Sequence, residues 1–233
     1  LQAGLYDVLS AGVKTESSIK YLETAVKSAK GGFTDTATAV DGLTSTLNAY
    51  GLEASEVNRI ANQMMVAQDL GKTTFGEMAQ VIGRVAPTAN ALKVSTEELF
   101  SSLAVLTANG IQTNEAVTGL KAVFSGIAKP TSEATEASKA LGIEFNADAL
   151  ASKGLMGFLL EVKEALARTA PELAMQSQRY GELNAQMAEL EKAGKKSSSE
   201  YKALAEEAKN TEETIKLLTK AGDSQVSQFA TMF

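Results

Sequence analysis

Gly71-Lys72-Thr73 carries the residue types that close a phosphate-binding loop, in which backbone N–H groups and a lysine hold the phosphates and a hydroxyl holds magnesium. That loop needs a further glycine at position 66, which is Val66, and a strand ahead of it, where this sequence is helical. Acyl-transfer chemistry fares no better. There is no Gly-x-Ser-x-Gly elbow, and with 0 His a serine nucleophile would need an unusual lysine base. The paired carboxylates Glu97-Glu98, Glu206-Glu207 and Glu212-Glu213 are adjacent on helical sequence, so each pair points about 100° apart and does not converge as an acid and a base. They read as solvated faces. Lys192, Lys195 and Lys196 form a small basic tip that reads as charge compensation at a helix C-terminus. With 0 Cys and 0 His, the commonest metal ligands and the neutral-pH proton shuttle are missing. The expectation is no catalytic residue, no cofactor, no metal and no enzyme.

Composition bounds the class. At 233 residues, 44% hydrophobic and 21% charged, the chain can bury a sizeable core. A net charge of -6 and few aromatics argue against direct nucleic-acid binding, which rests on concentrated Lys and Arg. With 3 Pro and 18 Gly, most glycines can be assigned to helix ends. The most apolar run, Leu155-Met156-Gly157-Phe158-Leu159-Leu160, stops at Glu161, well short of the roughly 20 residues a membrane helix needs. It reads as a buried core helix with Leu155, Phe158, Leu159, Val162 and Leu166 on one face, and no membrane contact is expected. The chain opens on Leu1 in helix-like sequence, as an excised fragment would.

These residues must be positioned by helices. Between Thr34 and Pro130 the chain repeats a polar starter, a helix-period apolar run and a stop. The helix-stop glycines are Gly51, Gly71, Gly110 and Gly142, with Gly194 further on; a glycine just past a helix end takes the left-handed conformation without a Cβ penalty. The starters include Thr74 with Glu77 and Ser95 with Glu98, spaced as capping boxes, and Ser55, Thr113 and Thr131 at N-cap positions. Helices are predicted near residues 3–11, 16–30, 36–50, 55–70, 75–91 with a break at Pro87, 96–109, 113–128, 131–141 and 154–168; Phe145 to Leu150 carries no signal. In the third, Val40, Leu43, Leu47 and Tyr50 recur in steps of three and four. The fold class is all-α, a compact array of short helices over residues 1–168.

After Pro171 the pattern changes. Leu173, Gln176, Tyr180, Leu183, Met187 and Leu190 form one heptad-like seam, and Tyr201, Leu204, Ala208, Thr211, Ile215 and Leu218 form a second of equal length. Gly194 and a capping box from Ser197 to Glu200 lie between them. Residues 171–222 therefore read as a projecting antiparallel coiled-coil hairpin with arms of roughly 33 Å. It is either a solvated intramolecular hairpin or an arm for self-association or for a partner.

Several runs resemble the conserved core of phage tail tape measure proteins. They are Leu5-Tyr6-Asp7-Val8-Leu9-Ser10-Ala11-Gly12-Val13, the stretch from Thr34-Asp35 through Leu43-Thr44 to Tyr50-Gly51, Val85-Ala86-Pro87-Thr88-Ala89, and Leu106-Thr107-Ala108-Asn109-Gly110-Ile111 through Glu115-Ala116 to Ala122. The resemblance covers residues 3–168 in content and order. Gln228-Phe229-Ala230-Thr231-Met232-Phe233 resembles the segment that in the family follows the 154–168 helix, which makes 171–222 an inserted hairpin and 223–233 the start of a helix returning to the core.

The resemblance implies a structural component of a tailed phage or prophage, assembled in the host bacterial cytoplasm, that occupies the tail lumen and sets tail length while the tube is built. It implies tail tube proteins, tail-tip or baseplate proteins and tail assembly chaperones as partners. The alternative from the helix spacing alone is a cellular helical-repeat adaptor binding a partner protein. A wall hydrolase, sometimes fused to tape measure proteins, is disfavoured by the absence of a convergent acid and base pair.

Overall fold

The computed structural model describes residues 2–10 and 13–222, so the expected returning helix at 223–233 lies outside the described residues. All regular structure among them is helical, in agreement with the all-α expectation. The chain divides into two compact units, one of residues up to Ala128 with Leu150–Met156, the other of Lys129–Ala149 with the residues from Gly157 onward. This division is drawn elsewhere than the boundary read from the sequence at 168 to 171.

The first unit holds α1 (Gln2–Ser10), α2 (Thr15–Gly31), α3 (Thr36–Tyr50), α4 (Val57–Leu70), α5 (Phe75–Val81), α6 (Ala86–Ala91), α7 (Thr96–Ala108) and α8 (Thr113–Ala128). Helix α3 is its centre and touches α1, α2, α4, α5 and α6. Its apolar stripe is buried at Val40, Leu43 and Leu47, while Tyr50 at its end is half-buried. Gly42 lets α5 approach, since a Cβ there would stand 2.4 Å from the Cβ of Ala79. The hydroxyls of Tyr21 and Thr44 meet at 2.8 Å inside the α2–α3 contact, and burial raises the Tyr21 ionisation to about 12.

Helix ends decide the folding back. At Gly51, Gly110 and Gly142 the chain turns left-handed, with φ of 62°, 94° and 67°. In each case the residue after the glycine donates to the carbonyl five residues back, from Leu52 to Leu47, Ile111 to Leu106 and Ile143 to Ser138. Gly71 differs. It ends α4 in extended backbone, and a Cβ there would lie 2.4 Å from the Thr107 hydroxyl, so close approach rather than turn handedness requires the glycine. Two further left-handed stops carry no glycine: Phe33 (φ 54°) and Lys93 (φ 60°), each followed by the same long bond, Thr34 to Ala29 and Val94 to Ala89.

At the helix starts, Thr74 with Glu77 and Ser95 with Glu98 close reciprocal capping boxes, and Thr131 caps α9 (Ser132–Leu141). Two expected caps are corrected. Ser55 lies inside a 3-10 turn, and Thr113 is already helical, its hydroxyl spent on Thr73 at 2.8 Å. Asp35 and Asn146 supply caps that the sequence reading did not assign. Pro87 does not end a helix. A 3-10 turn at Ile82–Arg84 interrupts the run, and Pro87 sits in the first turn of α6, where its missing N–H has no partner to lose.

The second unit contains α9, most of α10 (Ala147–Lys192) and α11 (Ser199–Gly222). Helix α9 packs on α11 and buries Ala134, Ala137 and Leu141, and the rings of Phe145 and Phe158 stand 5.6 Å apart. Helix α10 breaks at Gly154 (φ 69°, ψ 167°) and then runs through Pro171, so the separate helices expected at 154–168 and from 173 are one element. Pro171 removes one backbone bond while the residues on either side stay in helical phase. Buried Ala165 takes the place expected for Leu166, which is only half-buried.

Candidate functional site

The polar residues that converge most closely lie at the N-terminal end of α7. Arg59 on α4 donates from Nε to Glu56 at 2.6 Å and from Nη1 to Thr96 and Glu97, both at 3.0 Å. Gln63, one turn on, donates its amide to the same Glu97 oxygen. Burial pushes the Glu97 carboxyl up, but bonds from its own backbone, Thr96 and Arg59 outweigh this and hold it below the usual carboxylate range. The next residue, Glu98, accepts the N–H and hydroxyl of Ser95 with one oxygen and the N–H of Leu155 at 2.7 Å with the other. The solvated-face reading is therefore corrected for Glu98, while Glu97 stays exposed beside Arg59. At the first turn of a helix, unpaired N–H groups and the dipole draw carboxylates inward.

Beside this cluster, α4 and α7 enclose a cleft of about 520 Å³. Its polar end is Arg59, Gln63 and Glu97; its floor is Ala67, Phe100 and Ala104; Val66 and Leu70 form an exposed apolar wall. The Oε1 of Gln63 and the hydroxyl of Tyr50 are buried without hydrogen-bond partners. Burial, with Glu98 and Glu97 nearby, raises the ionisation of Tyr50 well above its ordinary value. None of the sequence's motifs pointed to this cleft; its signal is the i, i+4, i+7, i+11 alignment of Arg59, Gln63, Val66 and Leu70.

Gly71-Lys72-Thr73 follows the helical α4 with no strand before it, and the Thr73 hydroxyl is engaged with Thr113. The segment makes no phosphate cradle. Among the described residues, no group of three His, Cys, Asp or Glu side chains could hold a metal, and no helix is long and apolar enough to cross a membrane.

Gly194 (φ 73°) ends the α10 arm, with Lys195 donating to Leu190 at 2.8 Å. The cap of α11 is Ser198, one residue later than expected, and it accepts from the Tyr201 N–H, so Glu200 does not complete a capping box. Arg179 on α10 pairs with Glu207 on α11 at 2.7 Å, and the Tyr201 hydroxyl donates to Glu191 at 2.6 Å. Of the seam residues, Leu183, Ala208, Thr211 and Leu218 are buried. Leu173, Gln176, Tyr180, Met187, Leu190, Tyr201, Leu204 and Ile215 are half-buried. At the tip, Lys196 pairs with Glu191 at 2.9 Å, and on α11 Glu212 pairs with Lys216 at 2.6 Å.

The closest polar convergence of the first unit is spent on helix caps and cross-helix ties. Residues 1–183 match the phage-related minor tail protein family, and the chain belongs to that family. It is 36% identical over 102 residues to a probable tape measure protein of Clostridium phage phiCD119, covering 42% of this chain and 11% of that one. It is 28% identical over 142 residues to the tape measure protein of Pneumococcus phage Dp-1, covering 61% of this chain and 12% of that one. The chain thus spans about an eighth or less of the length of these relatives. No solved structure matches. The tape measure resemblance read from the sequence agrees with these relatives, and the family match continues past residue 168 into α10.

Proposed function

We propose that this chain is a segment of a tail tape measure protein that lies in the tail lumen and acts there as a packed structural module, not as an enzyme. The observation that carries this reading is the set of left-handed stops at Phe33, Gly51, Lys93 and Gly110, which end the helices α2, α3, α6 and α7 and turn the chain back at each. As one continuous helix, residues 1–128 would span roughly 190 Å, whereas a packed unit of that size has a radius of gyration near 14 Å. The module then adds little to the length that the parent protein measures while tube subunits polymerise around it. Tail tube proteins, tail-tip or baseplate proteins and assembly chaperones are the partners this role calls for. Residues 171–222 serve as an inserted antiparallel coiled-coil arm, whose half-buried seam positions leave apolar surface for self-association.

In-frame deletions within residues 34–128 of the parent gene test the reading. Tails of unchanged length support a packed module. Tails shortened by about 1.5 Å per deleted residue would show that the segment is read out as extended helix.

A further inference from the structure

Helix α2 and the turn that ends it keep a row of large apolar side chains in water. Ile19, Val26 and Phe33 follow one another in steps of seven along one face, and they are 75%, 38% and 87% exposed. Scattered exposed apolar residues are ordinary, but Phe33 is not. Its backbone is left-handed at φ 54°, a conformation that strains a bulky L-residue, and its ring gains almost no burial within the chain in return. Gly32 against Phe75 explains where the turn falls, yet a glycine at 33 would make that turn without strain. The fold of the single chain gives Phe33 no use.

The charges along the same face specify what covers it. Glu23 stands three residues before Val26 and Lys30 four residues after it, both exposed, while Lys20 and Lys27 turn toward the groove that α2 shares with Asn58 and Asn62 of α4. The row is thus apolar at its ends and centre, with an acid on one side of Val26 and a base on the other. A surface of this kind is complementary to itself when turned end for end. We propose that the solvent face of α2 pairs antiparallel with α2 of a second copy of this chain, about a two-fold axis at Val26. Ile19 then lies against Phe33 of the copy, the two Val26 side chains meet, and Glu23 pairs with Lys30 of the copy twice over. Glu23 already holds Lys27 at 2.6 Å, and its carboxylate has further acceptor capacity for a second cation. The parallel arrangement sets Glu23 on Glu23 and Lys30 on Lys30, so like charges select against it. The proposal rests neither on the tail-lumen reading nor on the hairpin arm, and each can fail without the others.

The test uses the full 233-residue chain in sedimentation equilibrium. One helix per subunit makes a contact at the small end of the range, below about 1,200 Å², so a doubling of mass with a dissociation constant of roughly 1–100 µM is expected. Ile19→Asp should weaken it at least about tenfold, whereas Val66→Asp, at an exposed apolar residue on α4, should leave it unchanged. Glu23→Lys and Lys30→Glu should each weaken it by about tenfold, and the two together should restore it. Phe33→Gly should weaken pairing even though it relieves strain within each copy. Cross-linking reads the direction, because the chain has 0 Cys of its own. Val26→Cys should form a disulfide dimer on oxidation; Ile19→Cys should link to Phe33→Cys but not to itself, since two Ile19 positions stand roughly 21 Å apart along the antiparallel pair. A chain that stays monomeric up to about 1 mM would overturn the proposal. So would a doubling of mass that Ile19→Asp leaves intact, a double charge variant no tighter than the single ones, or self-linking of Ile19→Cys.

Discussion

Glu98 Oε1 accepts the backbone N–H of Leu155 at 2.7 Å, 57 residues away in sequence. The bond is needed because Gly154 leaves the helical region and strips Leu155 of its acceptor one turn back. The same carboxylate closes the capping box with Ser95, so one side chain starts α7 and holds the Leu150–Met156 strip in the first unit. Glu98→Ala is therefore expected to cost about 2 kcal/mol, more than a simple capping loss. Glu98→Gln, with one acceptor oxygen, should fall between. Chemical denaturation measures the loss, and amide exchange at Leu155 should rise in both variants; unchanged exchange would separate the carboxylate from the strip.

Gly42→Ala is expected to be among the most damaging single-methyl additions, because its Cβ meets both Cα and Cβ of Ala79, at 2.5 and 2.4 Å. Overpacking of this kind costs about 1–3 kcal/mol, and here backbone must move. Gly83→Ala is the control. Its Cβ meets only Ser45 at 3.5 Å, ordinary contact, and its melting temperature should stay near that of the parent.

Lys93 and Phe33 hold left-handed backbone that L-residues enter at roughly 1–2 kcal/mol. Lys93→Gly and Phe33→Gly should each raise stability in thermal melts, by up to about 1 kcal/mol after the larger unfolded-state entropy of glycine is subtracted. The mirror change Gly51→Ala should lower it by a similar amount, through backbone strain alone, since nothing lies within 4 Å of the added methyl. A destabilised Lys93→Gly would mean that its side chain, not the backbone, governs that stop.

Burial lifts the Tyr21 ionisation from 10.0 to about 12. A folded-state value above the unfolded one means that the native state binds the proton more tightly. The associated stability is complete below pH 10 and is lost as pH rises toward 12. Denaturation midpoints should fall across that window, and Tyr21→Phe should flatten part of the fall while removing the bond to Thr44. Tyr50→Phe, which deletes a buried hydroxyl with no partner, should be neutral or stabilising at pH 7.

The physical reason some of this was legible in the sequence is that local chemistry acts alone at those places. Gly51, Gly110, Gly142 and Gly194 turn left-handed with open space where a Cβ would stand, so backbone conformation alone asks for glycine there, and the boxes at Thr74 and Ser95 close within four residues. What escaped the reading depends on distant chain. Phe33 takes the left-handed position because Gly32 is pressed against Phe75, 2.2 Å from where its Cβ would stand, so the turn is displaced by one residue. Thr113 forgoes a cap because Thr73 waits across the α5–α8 contact. Glu98 looked like half of a solvated pair until Gly154 supplied an unpaired N–H. The cleft beneath Val66 and Leu70 arises where two amphipathic faces meet, and neither face alone announces it.

The claim that this chain is a folded-back module can be measured within the assembled tail itself. The sequence has 0 Cys, so Asp41→Cys and Gln80→Cys introduce two spin labels at exposed positions flanking the Gly42–Ala79 contact. Pulsed electron resonance on intact tails should give a label separation below about 25 Å, set by one helix crossing and two label arms. A separation near 58 Å, the length of 39 residues of uninterrupted α-helix, would contradict the account.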